Sequence, residues 1–246
     1  MVPKITQDVN KENIVDSMSL RKTSTIVGVL FLIAFVLHTI GSTIMEEFLL
    51  STNYLISLYA NTTLVIIAEI LEIIAAIAII GIVVMTYPII KEYNENIASK
   101  YAIFRLIEMV MLIIGVIIAF SLLSLSHEYV NAGSKNNDYF ESRGALLLAG
   151  RYWTFKIVLV FVLLGYLLFF YTLYQTNQIP RFISVWGMII VPLMFTGIIL
   201  EIFVSDIYGP NTMFPGFLIF YLPGTPLDLV LGLWLIFKGF NARNVS

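Results

Sequence analysis

Six stretches of about twenty apolar residues, nearly free of charge, run through this chain and leave little else between them. A hydrocarbon core of roughly 30 Å takes about 20 residues of helix to cross, and inside it every backbone N–H and C=O must be bonded within the chain. The stretches cover about residues 24–44, 62–88, 101–124, 153–174, 182–204 and 217–237. One apolar helix can hide in a soluble core, but six that are apolar on every face cannot. The fold expected is therefore an all-α integral membrane bundle of six transmembrane helices, occupying residues 21–240. Composition agrees: 59% of the 246 residues are hydrophobic and 12% charged, against about a quarter charged in a soluble domain.

Residues 1–20 are polar and mixed in charge and read as a flexible cytoplasmic N-terminal tail, with 241–246 as a cytoplasmic C-terminal tail. The first span is too long for a signal-peptide core and no small-residue cleavage site follows it, so it reads as uncleaved. Residues 125–152, with His127, Glu128, Lys135, Asp138, Glu141 and Arg143, read as a solvated loop. An even number of spans puts both termini on one side. That side carries nine Lys and Arg (4, 11, 21, 22, 91, 100, 181, 238, 243) against three on the other (135, 143, 151), which predicts cytoplasmic termini. Trp153, Trp186 and Trp234 fall near span ends, as an interfacial aromatic belt requires.

Ionisable residues inside a span cost roughly 2.5–3.5 kcal/mol each on insertion scales, and so need partners or water. Glu69 and Glu72 are three apart in the second span and share a helix face, with Glu72 roughly 15 Å in from Thr62. Two such neighbours cannot both ionise cheaply, so one holds a proton or a cation sits with them. Arg105 and Glu108 are three apart in the third span and can pair along it. Arg105 is also close enough to the cytoplasmic end to snorkel, or to reach Glu69 or Glu72 on the neighbouring helix. The sixth span contains Pro223, Gly224 and Pro226 and is expected to break there. Thr225-Pro226-Leu227-Asp228 has the form of a helix start, with Thr225 as N-cap, Pro226 first in the helix and Asp228 capping backbone N–H groups. A broken helix in a membrane is also where cavities are lined. Glu69, Glu72, Arg105, Glu108 and Asp228 thus form a candidate buried polar centre, with either a working or a packing role. His38 reads as a hydrogen-bonded packing residue, Lys156 and Glu201 as snorkelling residues near the outer ends of their spans, and Pro192 with Gly197 as a kink.

Much chemistry is excluded. With no cysteine and two histidines, thiolate and multi-histidine metal sites are ruled out, and no cofactor or metal is indicated. Ser126-His127-Glu128 are neighbours in sequence, which is no evidence for a triad. No P-loop, GxSxG, HExxH or dinucleotide-binding glycine run is present. A net charge of −2 without basic blocks argues against nucleic acid. What remains is a binder or mover of a small molecule or ion in the lipid bilayer, or a non-catalytic scaffold or regulatory subunit that mates with another membrane protein or a second copy. No catalytic signature supports an enzyme.

Four segments carry a resemblance: Arg21-Lys22-Thr23, YAIFRLIEMVML at 101–112, YTLYQTNQIPRFISVWG at 171–187 and LDLVLGLWLIFKGF at 227–240. In this order and spacing they resemble the domain-of-unknown-function 4386 family of prokaryotic membrane proteins. The resemblance spans roughly residues 21–240 and implies a multi-helix membrane fold in a prokaryotic plasma membrane. It also implies an acid at Asp228, where relatives tend to have glutamate. It implies no activity.

Overall fold

The computed structural model describes residues 4–133, 137–208 and 217–241. Among these residues it is almost entirely helical, with no strand: α1 (Lys4–Leu49), α2 (Tyr54–Ala60), α3 (Thr62–Tyr93), α4 (Glu95–Asn131), α5 (Asn137–Gln175), α6 (Arg181–Tyr208), α7 (Phe217–Phe220) and α8 (Leu227–Phe237). Five helices are long and apolar enough to cross a membrane, and α7, a 3-10 turn (Leu222–Gly224) and α8 make the broken sixth. This is the six-helix membrane bundle expected.

The outer surface shows which solvent the fold is built for. Along α4 the exposed residues Ile103, Leu106, Val110, Ile114 and Ile117 form an apolar row, and Ile66, Ile70, Ile77 and Val84 do the same on α3. Rows at three- and four-residue spacing are one helix face. In water that face would be polar; here the apolar face points outward and the ionisable residues point in.

Several boundaries depart from expectation. The segment 4–20, expected as a tail, is helical and continuous with the first span. The expected solvated loop at 125–152 is mostly helix: α4 runs on to Asn131 and α5 already starts at Asn137. A helix need not stop at the membrane surface, because its backbone bonds are satisfied internally wherever it goes. Lys135, in that segment, lies outside the described residues. Ser126 and His127 part company: Ser126 Oγ donates to the Leu55 carbonyl, while His127 Nε2 lies 3.1 Å from Thr62 Oγ1. Both contacts hold the short helix α2 and the start of α3 against α4.

The end of the bundle that carries both termini is laced by polar bonds. Asn94, in extended conformation, separates α3 from α4 and accepts from Ile97 N (3.1 Å) as the α4 N-cap. Arg21 donates to the carbonyls of Leu235 (3.3 Å), Ile236 (2.7 Å) and Phe237 (3.0 Å), which α8 leaves unbonded at its C-terminus. Ser24 Oγ accepts from Phe240 N at 2.9 Å. Asn177, at φ 51° in the left-handed region, ends α5, and its carbonyl accepts from Asn241 Nδ2 at 2.7 Å. Farther in, α8 crosses α1 at Gly28 and Gly232, where a Cβ on Gly28 would stand 2.6 Å from the Gly232 carbonyl oxygen. Small residues at the crossing let the two backbones approach closely.

Candidate functional site

The interior is layered. Near the termini, Val27, Phe31, Ile82, Tyr101, Phe169, Phe170 and Leu231 pack into one apolar core. At the opposite end Met45, Phe48, Leu58, Val65, Ala119 and Leu122 form another. On α1, α3 and α4 the residues numbered between these two cores include His38, Glu69, Glu72, Arg105 and Glu108. Arg151 and Tyr166 of α5 and Asp228 of α8 join them. A layer of ionisable side chains is thus sandwiched between two apolar plugs. Along α4 it extends from Arg105 to Gly115, ten residues or roughly 15 Å.

All five residues expected in a polar centre lie in this layer, though not with all the expected partners. Arg105 and Glu108 pair along α4 (Nη1 to Oε2, 2.8 Å) and are each 3% exposed. Arg105 does not snorkel. Its guanidinium lies 5.3 Å from the Tyr166 ring centre, in space that Gly165 leaves open: a Cβ there would stand 2.8 Å from Arg105 Cδ. Glu72 pairs with His38 Nδ1 of α1 (2.8 Å) and Glu69 with Arg151 Nη1 of α5 (3.5 Å). Arg151 Nη1 also bonds the Gly115 carbonyl at 3.4 Å. The two glutamates on one helix face therefore turn to different helices.

Asp228 corrects the capping expectation. Helix α8 starts at Leu227, Pro226 takes the cap position, Thr225 is already α-helical in φ and ψ, and there is no side-chain cap bond. Asp228 instead accepts a hydrogen bond from Tyr166 OH at 2.6 Å. The carboxylate therefore reaches across to α5 and does not fold back on its own helix.

The break is held from α6. Trp186 Nε1 donates to the Pro223 carbonyl (3.2 Å) and Tyr221 OH donates to Glu201 Oε2 (2.8 Å). Glu201 also pairs with Lys156. Lys156 and Glu201 were expected to snorkel, but Lys156 is buried and its ammonium stands 5.0 Å from the Tyr152 ring centre. The two charges neutralise each other and tie α5, α6 and the break together.

Sequence reasoning missed three members. Arg151 looked like a loop residue because the polar run before it hid the long α5. His38 was visible as an ionisable residue in an apolar span, the same signal that picked out Glu72. Tyr166 gives no signal in sequence, because tyrosine is common in any span.

Among the described residues, no three His, Cys, Asp or Glu stand close enough together to hold a metal ion. The layer's chemistry is that of protons, hydrogen bonds and fixed charge. Charged throughout, with His38 neutral, it would hold four carboxylates against two guanidiniums.

Residues 26–239 match the model of a family described as "Domain of unknown function (DUF4386)". No curated protein and no solved structure matches. Three of the four segments that carried the resemblance meet at the terminal end: Arg21 bonds the carbonyls of Leu235, Ile236 and Phe237, and Ile179 and Ile183 share a core with Leu227, Leu231 and Leu235. The fourth, YAIFRLIEMVML, supplies Tyr101, Arg105 and Glu108 to the interior.

Proposed function

Because the chain belongs to the DUF4386 family, whose description assigns no activity, we propose from its own side chains that this membrane protein binds and moves a small molecule or ion through the ionisable layer. The observation that carries the reading is the surplus of acid: Glu69, Glu72, Glu108 and Asp228 share Arg105, Arg151 and the titratable His38. Uncompensated charge in a low-dielectric interior is expensive, so the layer calls for a proton or a cationic group. The broken sixth helix, a device that lines sites in transporters, brings Asp228 to it. We place the protein in the plasma membrane of a prokaryote with both termini cytoplasmic. The charge bias of the flanks supports this, and it sharpens once Arg151 is counted inside the bundle.

A second reading, a scaffold or regulatory subunit, is favoured by the close matching of Glu108, Glu69 and Glu72 each to its own base, since matched pairs also serve to fix helix register. Purified protein in liposomes loaded with a pH-sensitive dye separates the two readings, when monovalent cations, small amines and small carboxylates are added in turn and unfolding temperature is followed alongside. The transport reading predicts that at least one class gives flux. It also predicts that Glu72→Gln or Asp228→Asn lowers that flux by at least about tenfold, the equivalent of about 1.4 kcal/mol, while the protein stays folded. A folded protein that answers to none of these classes is a scaffold.

A further inference from the structure

Building on that reading, we propose that the ion handled by the layer is a proton, loaded and released at the Asp228 carboxylate beside Tyr166. Asp228 differs from the other three acids in its partner. Glu108 has Arg105, Glu69 has Arg151 and Glu72 has His38, whereas Asp228 is bonded to a neutral phenol. The Tyr166 hydroxyl donates to Oδ1, which leaves Oδ2 as the oxygen that takes the proton.

Position supports the same assignment. Arg105 and Glu108 are buried, but Asp228 and Tyr166 keep accessible surface, and the His38 side chain is 38% exposed against 7% for Glu72. Asp228 and His38 thus both keep accessible surface, while the Arg105–Glu108 pair is closed off. Asp228 also sits in the first turn of α8, directly after the break, where a change of charge acts on the discontinuous helix.

The charged and titratable groups that act on Asp228 are His38 from α1, Arg105 and Glu108 from α4 and Tyr166 from α5. Arg105 is the one fixed cation in this set, and its Nε is buried without a hydrogen-bond partner among the described residues. When Asp228 releases its proton to water, the carboxylate left behind competes with Glu108 for Arg105. When it rebinds a proton, that competition ends. No other bond is made or broken, and His38 with Glu72 forms a second protonatable pair within electrostatic reach of the first.

Infrared difference spectroscopy of the full chain in lipid films, titrated with pH and without added solute, reads this directly. The expected spectrum has a carbonyl-stretch band of a protonated carboxylic acid that disappears as pH rises. The band moves on labelling with carbon-13 aspartate, shifts in Tyr166→Phe, is lost in Asp228→Asn and survives in Glu69→Gln. The label separates aspartate from glutamate without any substitution, and the shift in Tyr166→Phe assigns the band to Asp228 should Asp228→Asn fail to fold. Absence of a titrating band, or a band unmoved by the label, overturns the proposal. Loss of the band at constant pH on adding sodium or potassium also overturns it, in favour of a metal cation. Because the spectrum is taken on the resting protein, it can succeed where solute flux fails, and the two ideas fall separately.

Discussion

Replacing Arg105 with Met is expected to destabilise the bundle by about 3–5 kcal/mol, the usual result of stranding one partner of a buried ion pair. The pair lies between two apolar cores with both members 3% exposed, so water cannot take over the role of the guanidinium. Arg105 also covers the face of Tyr166, and that contact is lost with it. The double variant R105M/E108Q removes the stranded charge and is expected to recover most of the loss. Unfolding of the wild type, both single variants and the double variant in mixed detergent micelles measures the coupling. If the losses of the two single variants simply add in the double variant, the two residues do not depend on each other and the layer is not a network.

The second large effect is expected at the α1–α8 crossing. Gly28→Val should cost about 3 kcal/mol, the upper end of what overpacking usually costs. The added Cβ meets backbone, 2.6 Å from the Gly232 carbonyl oxygen and 3.0 Å from Ile236 N, and neither can rotate aside. The helices must part, and parting them pulls Arg21 from the α8 carbonyls. Gly150→Ala is the matched control: its nearest neighbour would be Ile118 Cδ1 at an ordinary 3.6 Å, and it should be neutral or slightly stabilising. Equal losses for the two in the same unfolding assay would mean that α8 does not pack on α1 at these glycines.

The spans were legible because lipid imposes a length and a composition that few other constraints mimic. The break in the sixth span was legible because Pro223, Gly224 and Pro226 cannot all lie inside a regular helix. The acids of the layer were legible for a related reason: a carboxylate in an apolar run is costly, so its mere presence marks it. Their partners were legible only within one helix, as for Arg105 and Glu108; across helices they are set by which helices meet, and a sequence read span by span holds no record of that. Glu69 and Glu72 looked like a pair, yet α1 and α5 divide them. Asp228 looked like a cap because the local pattern Thr225-Pro226-Leu227-Asp228 fits one, and a tertiary bond to Tyr166 prevailed. Arg151 was hidden by helix extension, since nothing in a polar stretch signals that a helix continues beyond the membrane.

Ionisable groups from separate helices meet inside a membrane-embedded bundle, and a chemical cross-link tests that meeting directly. The chain contains no cysteine, so pairs can be introduced against a clean background, and the decisive pair is His38→Cys with Glu72→Cys, treated with a short bifunctional thiol reagent in native membranes. A cross-link between α1 and α3 is expected, and it remains with the membrane after carbonate washing. Failure of the pair to cross-link, although each cysteine reacts once the protein is unfolded, or release of the chain by carbonate, would contradict this arrangement.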